Sequence, residues 1–572
     1  MKNFNVYSRR SFLDRSVKTS LGVALATLTD IPFVMKRALA EGNIGQPGPD
    51  GKIKKVLFIW LRFGNDGLNN IVPIEDSTYN VIRPDIGIVK DDIATNINHP
   101  NYNPAFYSQA GNCFDPTAYA DVGGTLRGAN DDPYSYARAI KLGNGFAALH
   151  PALKFLAPIY NAGDLALLHR VAYPKQSRSH FDSQNYWENG NPNINLSKDG
   201  IFYRTIMESG LANTAPLTGV SIQSALPLLL RGSKAAMTNL TNPTRYDLLG
   251  VPTPGGDLKA FNAIAGANYY PFPQKRSREL LDLQYQNMSN TLRIFSAMDF
   301  SETGNVFRDN VNTDGDTAPY YLFPTTNAKN GGYAFHANSA AKYVVPTGHY
   351  GFFGNLKAAA MILNKTDAII AGTELGGFDT HGSQGAATGN HANLLRSVGW
   401  SMYALRKYFQ NYADKATWDN IVVVTLSEFG RTSAENSDNG TDHAEAGVMY
   451  VAGGGVKGYG KGNATGVFGC SPSEPVPWKP GPRTTNGGTC GTMFAAGFAE
   501  GAGTVNPVTA GYLRRSIDYR SVLGEVIRKH LGATQNQLNN IIPGYANAGE
   551  ALLGGGTSTV DGTAIRGELG IL

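Results

Sequence analysis

The chain has 572 residues, of which 50 are Lys or Arg and 45 are Asp or Glu, so its formal net charge is +5. Residues 1–40 hold seven of the basic and two of the acidic residues, which leaves the remainder balanced at 43 of each. Residues 41–572 therefore carry no excess positive charge, and they contain no basic run. Nucleic acid is not an expected partner of such a protein.

The first predicted element is an export signal over residues 1–40. Arg9 and Arg10 precede a weakly apolar run at 21–28, and a small-residue cleavage site follows at 38–40. This order is typical of twin-arginine leaders, which predicts a periplasmic or secreted protein whose partners include the twin-arginine export machinery and a signal peptidase. The alternative is an N-terminal amphipathic helix of the fold. The apolar run is too short to span a bilayer, and no transmembrane segment is expected in the mature chain.

Residues 41–572 are predicted to form a single α/β domain with long insertions near 85–145, 240–350 and 457–515. Continuous apolar runs predict strands buried on both faces, and apolar residues at helical spacing predict helices between them. The predicted strands are 55–61, 165–171, 367–371, 421–426 and 448–452, and the predicted helices are 150–162, 355–363, 391–412 and 522–531. Strands that alternate with helices favour a doubly wound, mostly parallel sheet.

The three cysteines allow one disulfide. Cys470 and Cys490 enclose a stretch rich in Gly and Pro, which a bridge would close in an oxidising compartment. The alternative is that both thiols stay free. Cys113 is expected to be unpaired.

Four acidic or histidine-containing motifs lie close to predicted strand ends. Because the carboxyl ends of parallel strands meet at one edge of a sheet, these motifs are expected to converge there. Oxygen and imidazole groups suit a divalent metal ion such as zinc, manganese, magnesium or calcium, and paired metals clamp both oxygens of a displacement at phosphorus or sulfur. The candidate ligands are Asp66, Asp379, His381, Glu428, Asp442 and His443.

Each candidate also has a structural interpretation. Asp66 precedes a glycine and could cap a turn. Glu428 could form a structural ion pair with Arg431. The two Asp/His pairs could make ordinary loop hydrogen bonds. The recurrence of the same ligand chemistry at four strand ends favours the metal site.

The loop at 177–182 follows a predicted strand and leads into a predicted helix. Ser179, beside Arg178, is placed at the helix start to act as a nucleophile or to hold an anion. The alternative is that Ser179 or Asp182 only caps the helix. Seven further histidines show no ligand pattern and are assigned structural roles: His99, His150, His169, His336, His349, His391 and His530.

The order of the motifs is specific. They are LRFGNDGLN at 61–69, LHPAL at 149–153, SRSHF at 177–181, LLLRG at 228–232, ELGGFDTH at 374–381, SEFGRT at 427–432, GTDH at 440–443 and DYR at 518–520. Together they resemble those of a bacterial family called domain of unknown function 1501, whose members commonly carry twin-arginine leaders. The resemblance covers most of the mature chain.

This family is similar in fold to the alkaline phosphatase and sulfatase superfamily, so the resemblance implies an alkaline phosphatase-like fold with a metal site at the sheet edge. By position it implies five ligands and a nucleophile region: Asp66, Asp379, His381, Glu428 and His443, with Ser179. The chain departs from the family pattern at Phe63, Asn65, Phe378 and Ala444. It departs from well-studied phosphatases at Phe429, where they carry His.

These residues support two hypotheses of function. The first is an exported, metal-dependent hydrolase of phosphate or sulfate esters, on a small molecule or a polysaccharide, in which Arg178 or Arg431 holds the anion. The second is a non-catalytic binding or surface-assembly protein that keeps the fold. Ser179 distinguishes them, because it lies close to the metal in the enzyme and is a buried helix cap in the binding protein. A serine peptidase or lipase is disfavoured, since no G-x-S-x-G motif is present.

Overall fold

A computed structural model describes residues 44–48, 50–88, 139–195, 197–211, 217–235, 237–242, 291, 293–295, 297–309, 320–325, 345–479, 493–496, 508–543, 545, 557–560 and 563–572. The predicted leader lies outside these residues. So do Cys113 and Cys490, whereas Cys470 is a buried free thiol. No helix among the described residues combines the length and the apolar character needed to cross a membrane.

Most of the described strands join one large mixed sheet. In chain order the strands are β1 (Lys55–Leu61), β2 (Ile71–Val72), β3 (Ile140–Lys141), β4 (Ala148–Leu149), β5 (Leu165–Ala172), β6 (Gly219–Ile222), β7 (Thr238–Leu240), β8 (Arg308–Asp309), β9 (Tyr320–Tyr321), β10 (Ile370–Leu375), β11 (Ile421–Leu426), β12 (Gly447–Ala452), β13 (Val467–Phe468), β14 (Met493–Ala496), β15 (Val508–Leu513), β16 (Ile517–Asp518), β17 (Thr557–Val560) and β18 (Thr563–Arg566). The large sheet has the order β17-β18-β16-β5-β12-β11-β1-β10-β6-β7, with β13 paired to β5. Its described strands run in one direction except β12 and β17.

The described residues also form α-helices and shorter helical turns. The α-helices are α1 (Tyr79–Ile82), α2 (Ala157–Asn161), α3 (His180–Asn189), α4 (Ile201–Ser209), α5 (Tyr350–Lys365), α6 (Asn390–Asn411), α7 (Tyr519–Glu525) and α8 (Gln535–Ile541). Short 3-10 helices lie at Gly67–Asn69, Pro151–Leu156, Leu228–Leu230, Asn305–Phe307 and Thr347–His349, and the π-helix Val526–His530 continues α7.

Two hydrophobic cores lie on the two faces of the sheet. In β1, Leu57, Ile59 and Leu61 enter one core, and the alternate residues from Val56 to Trp60 enter the other. Burial on both faces is why this strand is a continuous apolar run. Helices α5 and α6 contribute to the first core, and α4 and α7 to the second. The predicted α/β class with a large, mostly parallel sheet is confirmed.

Strands β1 and β11 have the predicted bounds. The helix predicted over 150–162 is instead a 3-10 helix, Pro151–Leu156, followed by α2. Pro158 explains the break, because it has no N–H to donate to the carbonyl of Lys154, as an uninterrupted α-helix requires.

Helix α5 begins five residues before its predicted start. Gly351 and Gly354 lower the helix propensity of its first turns. Phe352 and Phe353 are nevertheless buried in the first core, so tertiary packing outweighs the local preference.

Strand β12 is antiparallel to β11 and β5, which departs from the predicted parallel arrangement. Residues 427–446 join β11 to β12 without a helix. A parallel return needs a long crossover, usually helical, so this connection reverses the chain. As a result the start of β12 lies at the same edge as the carboxyl ends of β1, β10 and β11.

Candidate metal centre

Asp379, in the loop after β10, is the central residue of a group at this edge. Its Oδ1 accepts a hydrogen bond from Arg431 at 2.5 Å. The same oxygen lies 3.0 Å from Nε2 of His381 and 3.2 Å from Nε2 of His443. Its Oδ2 lies 3.6 Å from Nε2 of His180. Three imidazoles and one carboxylate therefore share one site.

Each of the three imidazoles is held through Nδ1. The acceptors are two carboxylates and a backbone carbonyl, which cannot donate, so each Nδ1 carries the proton. In its neutral form each imidazole then carries a lone pair at Nε2, as in metal-binding histidines whose tautomer is fixed by a second acceptor. The pairs are His180 with Glu428 at 3.0 Å, His381 with Asp442 at 2.9 Å, and His443 with the carbonyl of Arg178 at 2.9 Å.

These Nε2 atoms face one another at short range. Nε2 of His381 lies 3.0 Å from Nε2 of His443, and both are close to Oδ1 of Asp379. Electron pairs this close repel unless a proton or a cation lies among them. The ligand atoms of a tetrahedral zinc site are about 3.3 Å apart, given metal–ligand distances of roughly 2.0–2.1 Å. The separations among these atoms of Asp379, His381 and His443, 3.0 to 3.2 Å, are close to that value, and ordinary hydrogen bonds have the same length.

His180 adds a further donor from a different element. It is the first residue of α3, and its Nε2 is buried without a hydrogen-bond partner in the described part of the chain. One ligating atom each from His180, Asp379 and His443 lies within 4.8 Å of the others. A buried nitrogen without a partner costs free energy, which a bound cation would recover.

The local electrostatics favour the metal-binding protonation states. Partial burial opposes ionisation of Asp379, but the hydrogen bond from Arg431 and its charge hold the pKa of this carboxyl below its ordinary value. Burial lowers the pKa of the His443 imidazole. An ionised carboxylate and a neutral imidazole are the forms that bind metals.

Glu428 holds neighbouring groups. Its Oε1 accepts from Nδ1 of His180 and, at 2.7 Å, from the backbone N–H of Phe63. Its Oε2 is buried and has no hydrogen-bond partner among the described residues. The structural ion pair considered for Arg431 is formed with Asp379 rather than with Glu428.

Arg431 connects three loops through hydrogen bonds from the protein interior. Its side chain is fully buried. Besides Asp379, its guanidinium donates to backbone carbonyls of the loops after β1 and β10 and of the segment before β12. These acceptors are Phe63, Gly64, Phe378 and Thr441. The guanidinium is therefore directed at the chain, and Arg431 positions Asp379.

Ser179 and Arg178 precede His180 directly. The hydroxyl of Ser179 accepts a hydrogen bond from the N–H of Asp182 at 3.4 Å and so caps α3. The guanidinium of Arg178 donates to the hydroxyl of Tyr512 and lies over its ring, 5.1 Å from the centroid. The capping interpretation of Ser179 is observed, although the residue is only half-buried, and its role as nucleophile stays a prediction.

Asp66 does not join the group around Asp379. It is fully buried, and Arg83 donates to its two oxygens at 2.6 and 3.0 Å. Gln384 donates to one of them at 2.7 Å, and its own carbonyl accepts from Thr380 and Thr441. Thr380 lies between Asp379 and His381, and Thr441 precedes Asp442, so Asp66 supports the loops of the site from the interior.

The structure thus brings together Asp379, His381 and His443, with Asp442 hydrogen-bonded to His381 and Glu428 to His180. Sequence interpretation missed His180, because the serine and arginine before it received the assignments in that loop. One signal was available: His180 follows a buried strand and begins a helix, which places it at the ligand-binding edge.

Residues 317–473 match a family model described as "Protein of unknown function (DUF1501)". The matched range includes most of the site, but His180 and Asp66 lie before it. The match supports the family resemblance that the motifs indicate. No curated protein and no solved structure matches the chain.

Proposed function

We propose that His180, Asp379, His381 and His443, called here the histidine centre, bind one divalent metal ion. The observation that carries the proposal is the arrangement of the imidazoles, whose Nδ1 atoms are all held so that their Nε2 atoms converge on Asp379. Imidazole-rich sites suit zinc, whereas magnesium and calcium prefer oxygen ligands. Zinc is therefore the first candidate.

We propose that the protein hydrolyses a phosphate or sulfate ester at this centre. A bound divalent ion supplies Lewis acidity and positive charge for an ester oxygen. Glu428 and Asp442 orient two imidazoles, and Arg431 fixes Asp379. The side chains of Asp379 and His381 are 40% and 46% exposed, which supports access from solution.

Ser179 is the candidate nucleophile. It caps the ten-residue helix α3 directly before His180. The N-terminus of a helix favours negative charge, both from its dipole and from its free N–H groups. This position suits a serine that attacks an anionic ester.

We also propose that the fold is a divergent form of the alkaline phosphatase and sulfatase architecture and that the protein acts after export. The α/β class and a site at the carboxyl edge support the first proposal, and an experimental structure tests it. The leader motif supports the second. In cells, replacing Arg9 and Arg10 by Lys is expected to leave the precursor in the cytoplasm.

The metal is tested on protein purified without chelators and analysed for bound elements. Wild type is expected to retain about one zinc per chain, and His443→Ala to lose it, because a ligand is removed. His349→Ala is the matched control, since that imidazole contacts Ser397 outside the centre. Equal metal content in all three proteins would rule out the assigned ligands.

The activity is tested with a panel of aryl phosphate and aryl sulfate esters. Ser179→Ala is expected to abolish turnover and keep the metal, whereas His443→Ala loses both. If Ser179→Ala turns over esters like wild type, Ser179 is not the nucleophile.

A second function has its own supporting observation. The hydroxyl of Ser179 is a helix cap, and the guanidinium groups of Arg178 and Arg431 are engaged by the chain. These contacts are structural, and they suit an exported binding or surface-assembly protein that holds a structural cation. In that case wild type retains metal, and none of the esters is turned over.

A further inference from the structure

A groove adjoins the histidine centre. It encloses about 1090 Å³, which exceeds the roughly 300–1,000 Å³ typical of small-molecule sites. Its walls come from α3, the segment after β6 and the loops after β1 and β10. They include Phe63, Phe181, Asn185, Gln223 and Arg231. The groove therefore has room for a ligand of several linked units.

Two exposed aromatic side chains connect the groove with the centre. Phe63 is 44% exposed and Phe181 is 88% exposed. The ring of Phe63 meets the ring of His180 edge-on, with 5.5 Å between centroids. Phe181 follows His180 directly in α3. Large apolar side chains open to solvent beside a concave surface indicate a binding site.

The backbone of Phe63 gives a second, independent indication. Its φ is 81°, in the left-handed region that bulky side chains rarely adopt. Glu428 accepts its N–H and Arg431 donates to its carbonyl, so the same residues that build the centre hold it in place. Strain of this kind persists where the ring position matters, typically at ligand contacts.

The chemistry of the walls selects the class of ligand. The charged residues balance, with three cations, Arg62, Lys198 and Arg231, and three anions, Asp182, Glu188 and Glu374. A groove without net charge does not favour a polyanion. Amide and hydroxyl groups supply donors and acceptors, among them Gln184, Asn185, Asn195, Ser197, Gln223 and Ser224.

A saccharide matches these features best. The C–H face of a sugar ring packs on an aromatic ring, and its hydroxyls exchange hydrogen bonds with amides and serines. We propose that the groove binds the neutral saccharide chain of a substrate whose esterified unit lies at the histidine centre, with Phe63 and Phe181 as stacking surfaces. The position of the ester rests on the proposed function, whereas saccharide binding needs only the groove.

The test is calorimetric titration of the full chain with neutral hexasaccharides of gluco, galacto, manno and xylo configuration. At least one is expected to bind, and Phe181→Ala to weaken it about tenfold, as loss of a central aromatic contact does. Phe63→Gly removes a ring where φ suits glycine, and is expected to act alike. Phe181→Tyr keeps a ring and retains affinity. Val81→Ala, at an exposed position of α1, is the control.

Two outcomes overturn the proposal: no hexasaccharide binds, or Phe181→Ala binds like wild type. Saccharide binding is expected to survive in His443→Ala. If wild type binds a hexasaccharide but retains no metal, this inference stands and the proposed function fails. If wild type retains metal but binds no hexasaccharide, the inference fails alone.

Discussion

Two groups centred on an aspartate lie near the carboxyl edge of the sheet, and they differ in completeness. Asp66 is buried, and the donors of Arg83 and Gln384 satisfy both of its oxygens. Around Asp379, the Nε2 atoms of His381 and His443 face the carboxylate in a part-exposed site. The first group is complete as it stands. The second needs a proton or a cation.

The number and kind of partners explain this difference. Both aspartates follow a strand of the same sheet and accept from a buried guanidinium, Arg83 for Asp66 and Arg431 for Asp379. The amide of Gln384 completes the partners of Asp66, whereas the Nε2 atoms of His381 and His443 also face Asp379. A neutral imidazole held at Nδ1 presents a lone pair at Nε2, which a metal can bind.

The largest effect is expected for Arg83→Met. It should lower the free energy of unfolding by about 3–5 kcal/mol, because it leaves the buried carboxylate of Asp66 without its countercharge. Urea denaturation measures the change. The control is Lys415→Met in an exposed pair with Asp367 at 2.6 Å, expected below about 1 kcal/mol. Similar losses in both variants would contradict a structural role for Asp66.

The next largest effect is expected for zinc binding at the histidine centre. Free zinc at about 100 times its dissociation constant should raise the free energy of unfolding of wild type by about 2.7 kcal/mol. His443→Ala should show no gain, because a ligand is missing, and Arg83→Met should keep the gain. Thermal unfolding with and without zinc measures this. A gain in His443→Ala equal to that of wild type would remove this residue from the centre.

Much of the sheet could be predicted because buried strands carry a local signal. β1 and β11 are uninterrupted apolar runs, and their bounds were correct. The direction of β12 was not predictable from its own residues, since it depends on the lack of a helix between 427 and 446. The start of α5 was hidden by glycines that core packing overrides.

The site was predicted only where the chemistry repeats along the chain. Asp379, His381 and His443 come from loops at one edge, and they do meet. The contact of His180 with Glu428 spans 248 residues, and no spacing rule encodes it. Likewise Asp66 was predicted to be a ligand because no motif in the sequence indicates that Arg83 is its ion-pair partner.

Buried His150 is expected to make the free energy of unfolding sensitive to acid. Burial and the nearby His391 lower the pKa of His150 to about 3. Its Nδ1 accepts from the N–H of Ala152, and its Nε2–H donates to the carbonyl of Ala386, which fixes the neutral form. The unfolded chain binds the proton near pH 6.5, so this stability is present above pH 6.5 and lost as pH falls toward 3.

At pH 5 the loss from His150 should reach about 2 kcal/mol. His150→Asn keeps a side-chain acceptor at the helix start but does not titrate. Between pH 7 and pH 5 this variant should therefore lose about 2 kcal/mol less than wild type in urea denaturation. Parallel pH profiles for the two proteins would exclude His150 as a source of the sensitivity.

The smallest effect concerns backbone conformation, where the two groups differ again. Asp66 has ordinary extended angles, with φ at −73° and ψ at 96°, whereas Phe63 beside the histidine centre has φ at 81°. Glycine is normally less stable than alanine by roughly 0.5–1 kcal/mol in regular structure. In the left-handed region the Cβ costs roughly 1–2 kcal/mol, so the order should reverse.

Phe63→Gly is therefore expected to be more stable than Phe63→Ala by about 0.5–1 kcal/mol. Comparing these two variants cancels the loss of the aromatic ring, which both share. Urea denaturation of the pair measures the difference. If the Ala variant is the more stable one, the loop relaxes once the Phe63 ring is removed. The left-handed backbone then depends on the ring and not on the hydrogen bonds with Glu428 and Arg431.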